Sequence, residues 1–511
     1  VYINGGLLTE NWFDLNASRY TPSSTLQRME LLKTGYMGTL SLGWDNYLFL
    51  ELTGRQERSS TLKDQSFFYP SANLSFLFTQ AFHMPSWWNY GKLRLSYGIV
   101  GNAPETYTAN IVYEQGSDNG FTWNTIPSSW GNADIRPEKK YEYEIGLESK
   151  FLNNRLGIDI SYYNNRVKDQ ILSTPQPSTS GVKNVLMNVG EVANRGWDIS
   201  ISATPILTRD FRWDLTANYG VYKNKVVKLA DGVPYLEILN SGGSGIKIQA
   251  VEGQPMGDIY AQVPQVNENG EYLVSDKGLY LNQTELQKVG NINPAGVGGL
   301  FNSFSYKNVF LDFSIDFRIG GDVINEMNQY ATAVGLTPES LKYRDTEHGG
   351  LSYYYPGDNN SSGIPVQVDP STGAGPNGEI IYHDGIILPG VVASTGERNT
   401  RIIPAGYYYN TTYNWGTEAE QLTYRHSVFD NSYVKLRELT IGYQFPEKMI
   451  SKLGLGRLSV SVFGRNLFYF YKALKNYDAE SSVGTSWANQ ATVGSSTTAT
   501  RSFGVSLRAS F

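Results

Sequence analysis

The sequence predicts an all-β fold: a transmembrane antiparallel β-barrel, present as its C-terminal portion of about thirteen strands, with long extracellular loops. Three observations carry this. Segments that alternate apolar and polar side chains with a period of two recur down the chain, which marks strands with one apolar and one polar face. The connections between them alternate short and long, as in outer-membrane barrels with periplasmic turns and external loops. The composition is aromatic and glycine-rich but poor in charge. Among 511 residues there are 36 Tyr, 22 Phe, 10 Trp and 52 Gly against 18% charged residues, where soluble domains carry roughly 25%.

The elements follow in order. Near 35–44, "GYMGTLSLGW" is the first strand, and "YLFLELTGR" sets Leu48, Leu50 and Leu52 against Phe49, Glu51, Thr53 and Arg55. In "KLRLSYGI" the apolar set is Leu93, Leu95, Tyr97 and Ile99; in "YEYEIGLES" it is Tyr141, Tyr143, Ile145 and Leu147. Leu156, Ile158, Ile160 and Tyr162 continue it, then Trp197, Ile199 and Ile201, then Trp213, Leu215, Ala217 and Tyr219. The clearest is "VFLDFSIDFRI", with Val309, Leu311, Phe313, Ile315, Phe317 and Ile319 opposite Asp312, Ser314, Asp316 and Arg318. "YVKLRELTIGYQF" alternates but slips phase near Arg437, which predicts a β-bulge. "RLSVSVFG" follows, and "RSFGVSLRASF" ends the chain with Phe503, Val505, Leu507 and Phe511 on one face, read as the assembly signal of a closing strand.

Short connections are expected at 44–46, 152–154, 204–210, 306–308 and 446–456. Long ones are expected at 58–70, 102–139, 167–191, 223–296, 320–430 and 473–499. If the last strand ends in the periplasm, every long connection lies outside the cell and the first strand runs downward. Val1 then falls in an external loop and the strand count is odd, whereas single-chain bacterial barrels are even. Residues 1–511 are therefore expected to be the C-terminal part of a larger barrel, with the N-terminal plug and first strands on another chain or upstream.

Composition also excludes. A net charge of −6 leaves no basic surface for nucleic acid. With no cysteine, disulfides and thiolate metal sites are out. No run of 18 apolar residues exists, so no transmembrane helix is expected. His83, His348, His383 and His426 are scattered, and there is no phosphate loop, dinucleotide fingerprint or nucleophile elbow. No catalytic residue is assigned and no enzyme is predicted.

Several stretches resemble one family. "NADIRPEKKYEYEIGLESKFLNNRLGIDISYYNNRVKDQIL" with "NVGEVANRGWDISI" resembles the SusC/RagA family of TonB-dependent outer-membrane transporters. So do "GNINPAGVGGLFNSFSYKNVFLDFSIDFRIGGDV", "HDGIILPGV", "YVKLRELTIGYQFPEKMISKLGLGRLSVSVFGRNLF" and "TRSFGVSLRASF". The resemblance implies a plugged barrel of roughly 22 strands in the cell outer membrane. It also implies TonB-dependent import of large nutrients, glycan oligosaccharides first, with a SusD-like surface lipoprotein. TonB would act through the N-terminal region, and outer-membrane lipid would surround the wall. An oligopeptide importer of the same family is the alternative, and a passive porin or autotransporter-type barrel a further one.

Aromatic residues in the long loops are the candidates for substrate or lid contact: Trp123, Trp130, Tyr353, Tyr354, Tyr355, Tyr407, Tyr408, Tyr409 and Trp415. Flat rings stack on sugars while hydroxyl and indole N–H groups bond polar atoms; the plainer reading is that they pack the loops together. Trp44, Trp197 and Trp213 are assigned to the membrane girdles. Glu142, Glu144, Asp159, Asp312, Asp316 and Arg318 are assigned to the lumen, as partners of a plug. "DNNSSGIPVQVD" copies a calcium loop in Asp358, Asn360, Ser362 and Asp369, but lacks the glutamate at its twelfth place. No other cofactor is expected.

Overall fold

Alternation builds the wall. The computed structural model is described at every position except 1–5, 13, 15–16, 18, 20–27, 64–65, 119–120, 242–244, 358–362, 415–422, 452–453, 483, 485, 494–498 and 511. Thirteen strands form one antiparallel sheet in chain order. They are β1 (Lys33–Trp44), β2 (Leu48–Ser59), β3 (Ser66–Phe76), β4 (Trp88–Asn102), β5 (Glu138–Phe151), β6 (Leu156–Lys168) and β7 (Glu191–Leu207). They continue with β8 (Phe211–Lys228), β9 (Gly296–Tyr306), β10 (Val309–Ile319), β11 (Tyr433–Gln444), β12 (Arg457–Lys472) and β13 (Ser502–Ser510). β1 and β13 are the sheet's two edges. Among the described residues no helix is long and apolar enough to cross a membrane; the crossings here are strands.

Register sorts the faces. Leu95, Ile145, Tyr162, Trp197 and Val221 stand side by side across five strands, as do Ser161, Asp198 and Gly220 one residue away. The first row is apolar and faces outward; the second belongs to the concave, polar inner wall. Aromatic rings collect at two levels. Near the short turns Trp213 stacks on Phe304 at 5.5 Å, and Phe304 on Phe313 at 6.0 Å. Toward the long loops Tyr162 meets Trp197 at 4.9 Å, and Tyr219 meets Phe317 at 6.2 Å. Along β7, Trp197 and Ile206, which pairs with Trp213, are nine residues apart, roughly 30 Å of strand, and along β8 Trp213 and Tyr219 are six apart, roughly 20 Å. With the usual tilt these are roughly 23 and 15 Å along the axis, within the ~25 Å apolar band of such barrels. Between Tyr219 and Phe317 sits Gly298, where a Cβ would lie 2.5 Å from the Phe317 ring. Glycine is required there by the close approach.

The bulge falls at Arg437. Leu436 pairs with Ile315 and Glu438 with Ser314, so Arg437 has no partner on β10, and the register also shifts there against β12. The connections alternate as expected, with two corrections. The connection after β2 is not long: Ser66 to Pro70 belong to β3, and only 60–65 connect. The turn after β7 spans 208–210, because the strand runs on to Leu207. "FFYPSA" carries a proline and no clean alternation, so local propensity hid a strand that pairing with β2 and β4 sustains.

Candidate functional site: a charged inner wall beneath packed surface loops

Two features could meet a cargo: the polar inner wall and the loops at its outer end. On the wall, Arg94 Nη2 donates to Asp159 Oδ1 at 2.6 Å, Nη1 to Asp159 Oδ2 at 3.0 Å, and Nη2 to Ser161 Oγ at 3.1 Å. Glu148 lies 3.6 Å from the same guanidinium. A recess of about 760 Å³ runs along this wall past Asp159, Asp198, Ser200, Asn218 and Asp316. Several lumen charges find partners within the wall and its loops. Asp312 accepts from Ser303 Oγ at 2.6 Å and Glu142 from Asn165 Nδ2 at 3.1 Å, while Arg318 donates to the carbonyls of Ile292 and Gly320.

The loops fold onto one another. Ile246, Ile248 and Ile259 from the 229–295 connection share a buried core with Ile324, Tyr424 and Val428 from 320–432 and with Ala488 and Ala491 from 473–501. A second core joins Leu279 to Ile386, Leu388 and Ile403, with Tyr280, Tyr343, Tyr407 and Tyr408 against it. Strands bind the same loops: Asp322–Ile324 pairs with Val428–Asp430, and Leu273–Val274 runs parallel to Val391–Val392. Long loops of this length stay ordered only by burying their own apolar side chains, and these do.

A charge cluster ties this assembly to the wall. The Arg437 bulge turns its guanidinium inward, where Nε donates to Asp316 at 2.5 Å and Nη2 and Nη1 donate to Glu480 at 2.6 and 2.8 Å. Lys435, 2% exposed, donates to Glu480 at 2.7 Å. These cations hold the Glu480 carboxyl at about 2, the Arg437 hydrogen bonds contributing most. Asp478 accepts from the Tyr469 hydroxyl at 2.9 Å, and Asn431 Nδ2 donates to the Ala479 carbonyl at 2.8 Å. The sequence reading missed this cluster. Its signal was the phase slip at Arg437, but Glu480 lies in a connection with no period.

The loop aromatics divide. Tyr353, Tyr354 and Tyr355 are buried at 1%, 9% and 5% exposure. Tyr353 stacks on Tyr382 and donates to Asp384 at 3.1 Å, and burial, then Asp384, pushes its phenol up. Tyr409 is buried, donates to the Glu339 carbonyl at 2.7 Å, and burial pushes its phenol up to about 12. Tyr407 and Tyr408 are half-buried against the second loop core. All six are packed among the loops. Trp123 is different: it is 46% exposed and lies over Gly116, where a Cβ would sit 2.7 Å from the indole. Trp130 is half-buried, edge-on to Tyr113 at 5.8 Å. Trp415 lies outside the described residues.

Asp358, Asn360 and Ser362 of the calcium candidate also lie outside the described residues. Asp369 accepts from the Ser371 backbone N–H at 2.9 Å and its hydroxyl at 2.5 Å, bonds that lower its pKa. His348 has company the sequence reading did not give it. With Asp345 and Glu347 it brings three ligand atoms within 4.8 Å on an exposed turn, and its Nδ1 is 2.8 Å from Asp345. The run D-T-E-H was the available signal. His383 bonds the buried Ser352 hydroxyl at 2.8 Å, tying two loop strands together. His426 stacks on Tyr413 at 4.3 Å, and burial, then Arg425, lowers it to about 4. Phe503, Val505 and Leu507 point outward from β13, 72%, 72% and 68% exposed; Phe511 lies outside the described residues.

Comparison with known proteins agrees with this geometry. Residues 7–256 match the family "TonB dependent receptor-like, beta-barrel". A TonB-dependent receptor of Formosa agariphila is 24% identical over 494 residues, covering 88% of this chain and 42% of the relative. The TonB-dependent receptor SusC of Bacteroides thetaiotaomicron is 30% identical over 247 residues, 44% of this chain and 24% of that protein. The chain thus spans less than half the length of these relatives. The RagAB peptide transporter structure superposes with a TM-score of 0.66 at 18% identity, covering 92% of this chain and 48% of the matched one, which shows the shared fold. Thirteen wall strands, girdles at two levels and these matches agree: the chain is a β-barrel wall of the bacterial outer membrane, similar over residues 7–256 to the TonB-dependent receptor family and over part of its length to SusC.

Proposed function

We propose that this chain is the wall and external face of a TonB-dependent active importer of large nutrients, glycan oligosaccharides first, working with a SusD-like surface lipoprotein. The observation that carries this reading is the continuous polar inner wall beneath loops that share their own cores. A recess of the inner wall lined by Arg94, Asp159, Asp198, Asn218 and Asp316 suits a hydrated, polar cargo. Exposed Trp123 supplies a ring on which a sugar can stack. No catalytic step is assigned to the chain; plug and TonB contacts belong to the remainder of the protein.

Uptake of fluorescently tagged oligosaccharides tests the reading, in cells carrying the gene, in a deletion strain and in cells without TonB. Uptake is expected only in the first. Uptake of tagged oligopeptides in place of glycans would move the cargo to peptides, and uptake that persists without TonB would make the barrel a passive pore.

A further inference from the structure

We propose that the outer surface of the wall carries a binding site for the phosphate-bearing headgroup of an outer-leaflet lipid. The site lies where β6, β7 and β8 emerge from the membrane band. The outward row containing Tyr162, Trp197 and Val221 includes the outer aromatic level. Two residues further toward the long loops the same face carries Asn164, Arg195 and Lys223, paired across three strands. Two further on, it carries Arg166, Ala193 and Lys225. Each step is roughly 6.6 Å along the strand, so four cations stand within the first ~15 Å above the rings. That is the depth of lipid headgroups, since Trp and Tyr mark the interface.

The cations line one recess of about 480 Å³ together with Gly253 and Pro255 of the 229–295 connection. Arg166 is spoken for in part: it donates to Glu191 at 3.0 Å. Among the described residues, Arg195, Lys223 and Lys225 pair with no carboxylate. The carboxylate of Glu252, on the neighbouring turn, accepts instead from the Leu229 N–H at 3.3 Å. Unpaired cations gathered on one outward face of a chain of net charge −6 are complementary to a phosphate, which arginine grips through its planar fork and lysine through its point charge. Basic pockets at the membrane surface take lipid headgroups for this reason. A diphosphorylated glycolipid fits best: its acyl chains would lie on Tyr162 and Trp197 while its phosphates reach the recess.

The test is native mass spectrometry of the full-length protein in detergent. It is titrated with a diphosphoryl disaccharide lipid, with the same lipid dephosphorylated, and with inorganic phosphate. Retention of the phosphorylated lipid is expected to exceed that of the dephosphorylated lipid by at least tenfold, and to weaken as ionic strength rises. Arg195→Gln/Lys223→Gln/Lys225→Gln should abolish that preference while heat-modifiable folding is kept. Lys225→Gln alone should reduce it severalfold, and Lys307→Gln, in the turn between β9 and β10 at the opposite end, should leave it unchanged. Equal retention of the two lipids, or a triple variant that binds as the parent does, would overturn the proposal. So would full displacement of the lipid by millimolar inorganic phosphate, which would make the site one for soluble anions.

Discussion

Glu480 joins the wall to the loops through three charge-assisted hydrogen bonds, two from Arg437 and one from the buried Lys435. Glu480→Gln keeps the shape and removes the charge, which should cost about 2 kcal/mol, since each bond to a charged group contributes ~1.5–3 kcal/mol and this site is partly solvated. The cost is expected to appear as faster hydrogen exchange and earlier proteolysis in 473–501, with the strands unchanged. The pH dependence has a definite sign. A carboxyl depressed to about 2 contributes stability that is present above its unfolded value, near 4.3. It is lost as pH falls through the folded value. Exchange of this segment should therefore accelerate between about pH 4.3 and pH 2 in the parent protein and stay flat across that window in Glu480→Gln. A flat parent profile would remove Glu480 from the latch.

At the scale of elements, facing and loop packing can be tested separately. In β10, Phe313 continues the outward aromatic stack and Asp312 faces inward onto Ser303. Ile315→Arg, on the same outward face as Phe313 and between the two aromatic levels, should destabilise the barrel by ~2–4 kcal/mol, because a cation there meets hydrocarbon. Asp312→Ser should cost at most about 1 kcal/mol, the net value of one hydrogen bond. Heat-modifiable mobility and urea unfolding in vesicles read both, and equal damage would reverse the assigned faces. Ile259 belongs to the loops: it is 0% exposed in the core shared by three connections. Ile259→Ala should cost ~2–5 kcal/mol as a cavity, and protease should then cut the external loops while the wall persists.

For the molecule as a whole, the edges matter most. Among the described residues β1 pairs only with β2 and β13 only with β12, so each presents one row of backbone donors and acceptors with no partner there. In hydrocarbon each such group costs several kcal/mol. We propose that further strands of the same barrel, with a plug inside them, cover both edges. Amides of β1 and β13 in the membrane-extracted protein should then exchange as slowly as those of β7 and β8. Fast exchange confined to the two edges would show them open. Mass spectrometry of the same sample is expected to find plug sequence, on this polypeptide or on a companion.

What the sequence determined by itself was whatever repeats with a fixed period. Alternation placed the wall strands, separated Phe313 from Asp312, and located the bulge at Arg437, because a side-chain period of two is a local property of an extended chain facing two solvents. Loop lengths gave the polarity for the same reason: turns and loops are counted, not folded. β3 escaped because its proline and mixed pattern leave its strand to be made by its neighbours. The loops escaped more completely. That Tyr353 and Tyr409 are buried, that Glu480 meets Arg437, and that Arg195 stands beside Lys223 are contacts between segments far apart or on different strands. No period relates such residues. Only the register of the sheet and the apolar cores under the loops bring them together, so only the tertiary structure could decide which aromatic residues pack and which charges meet.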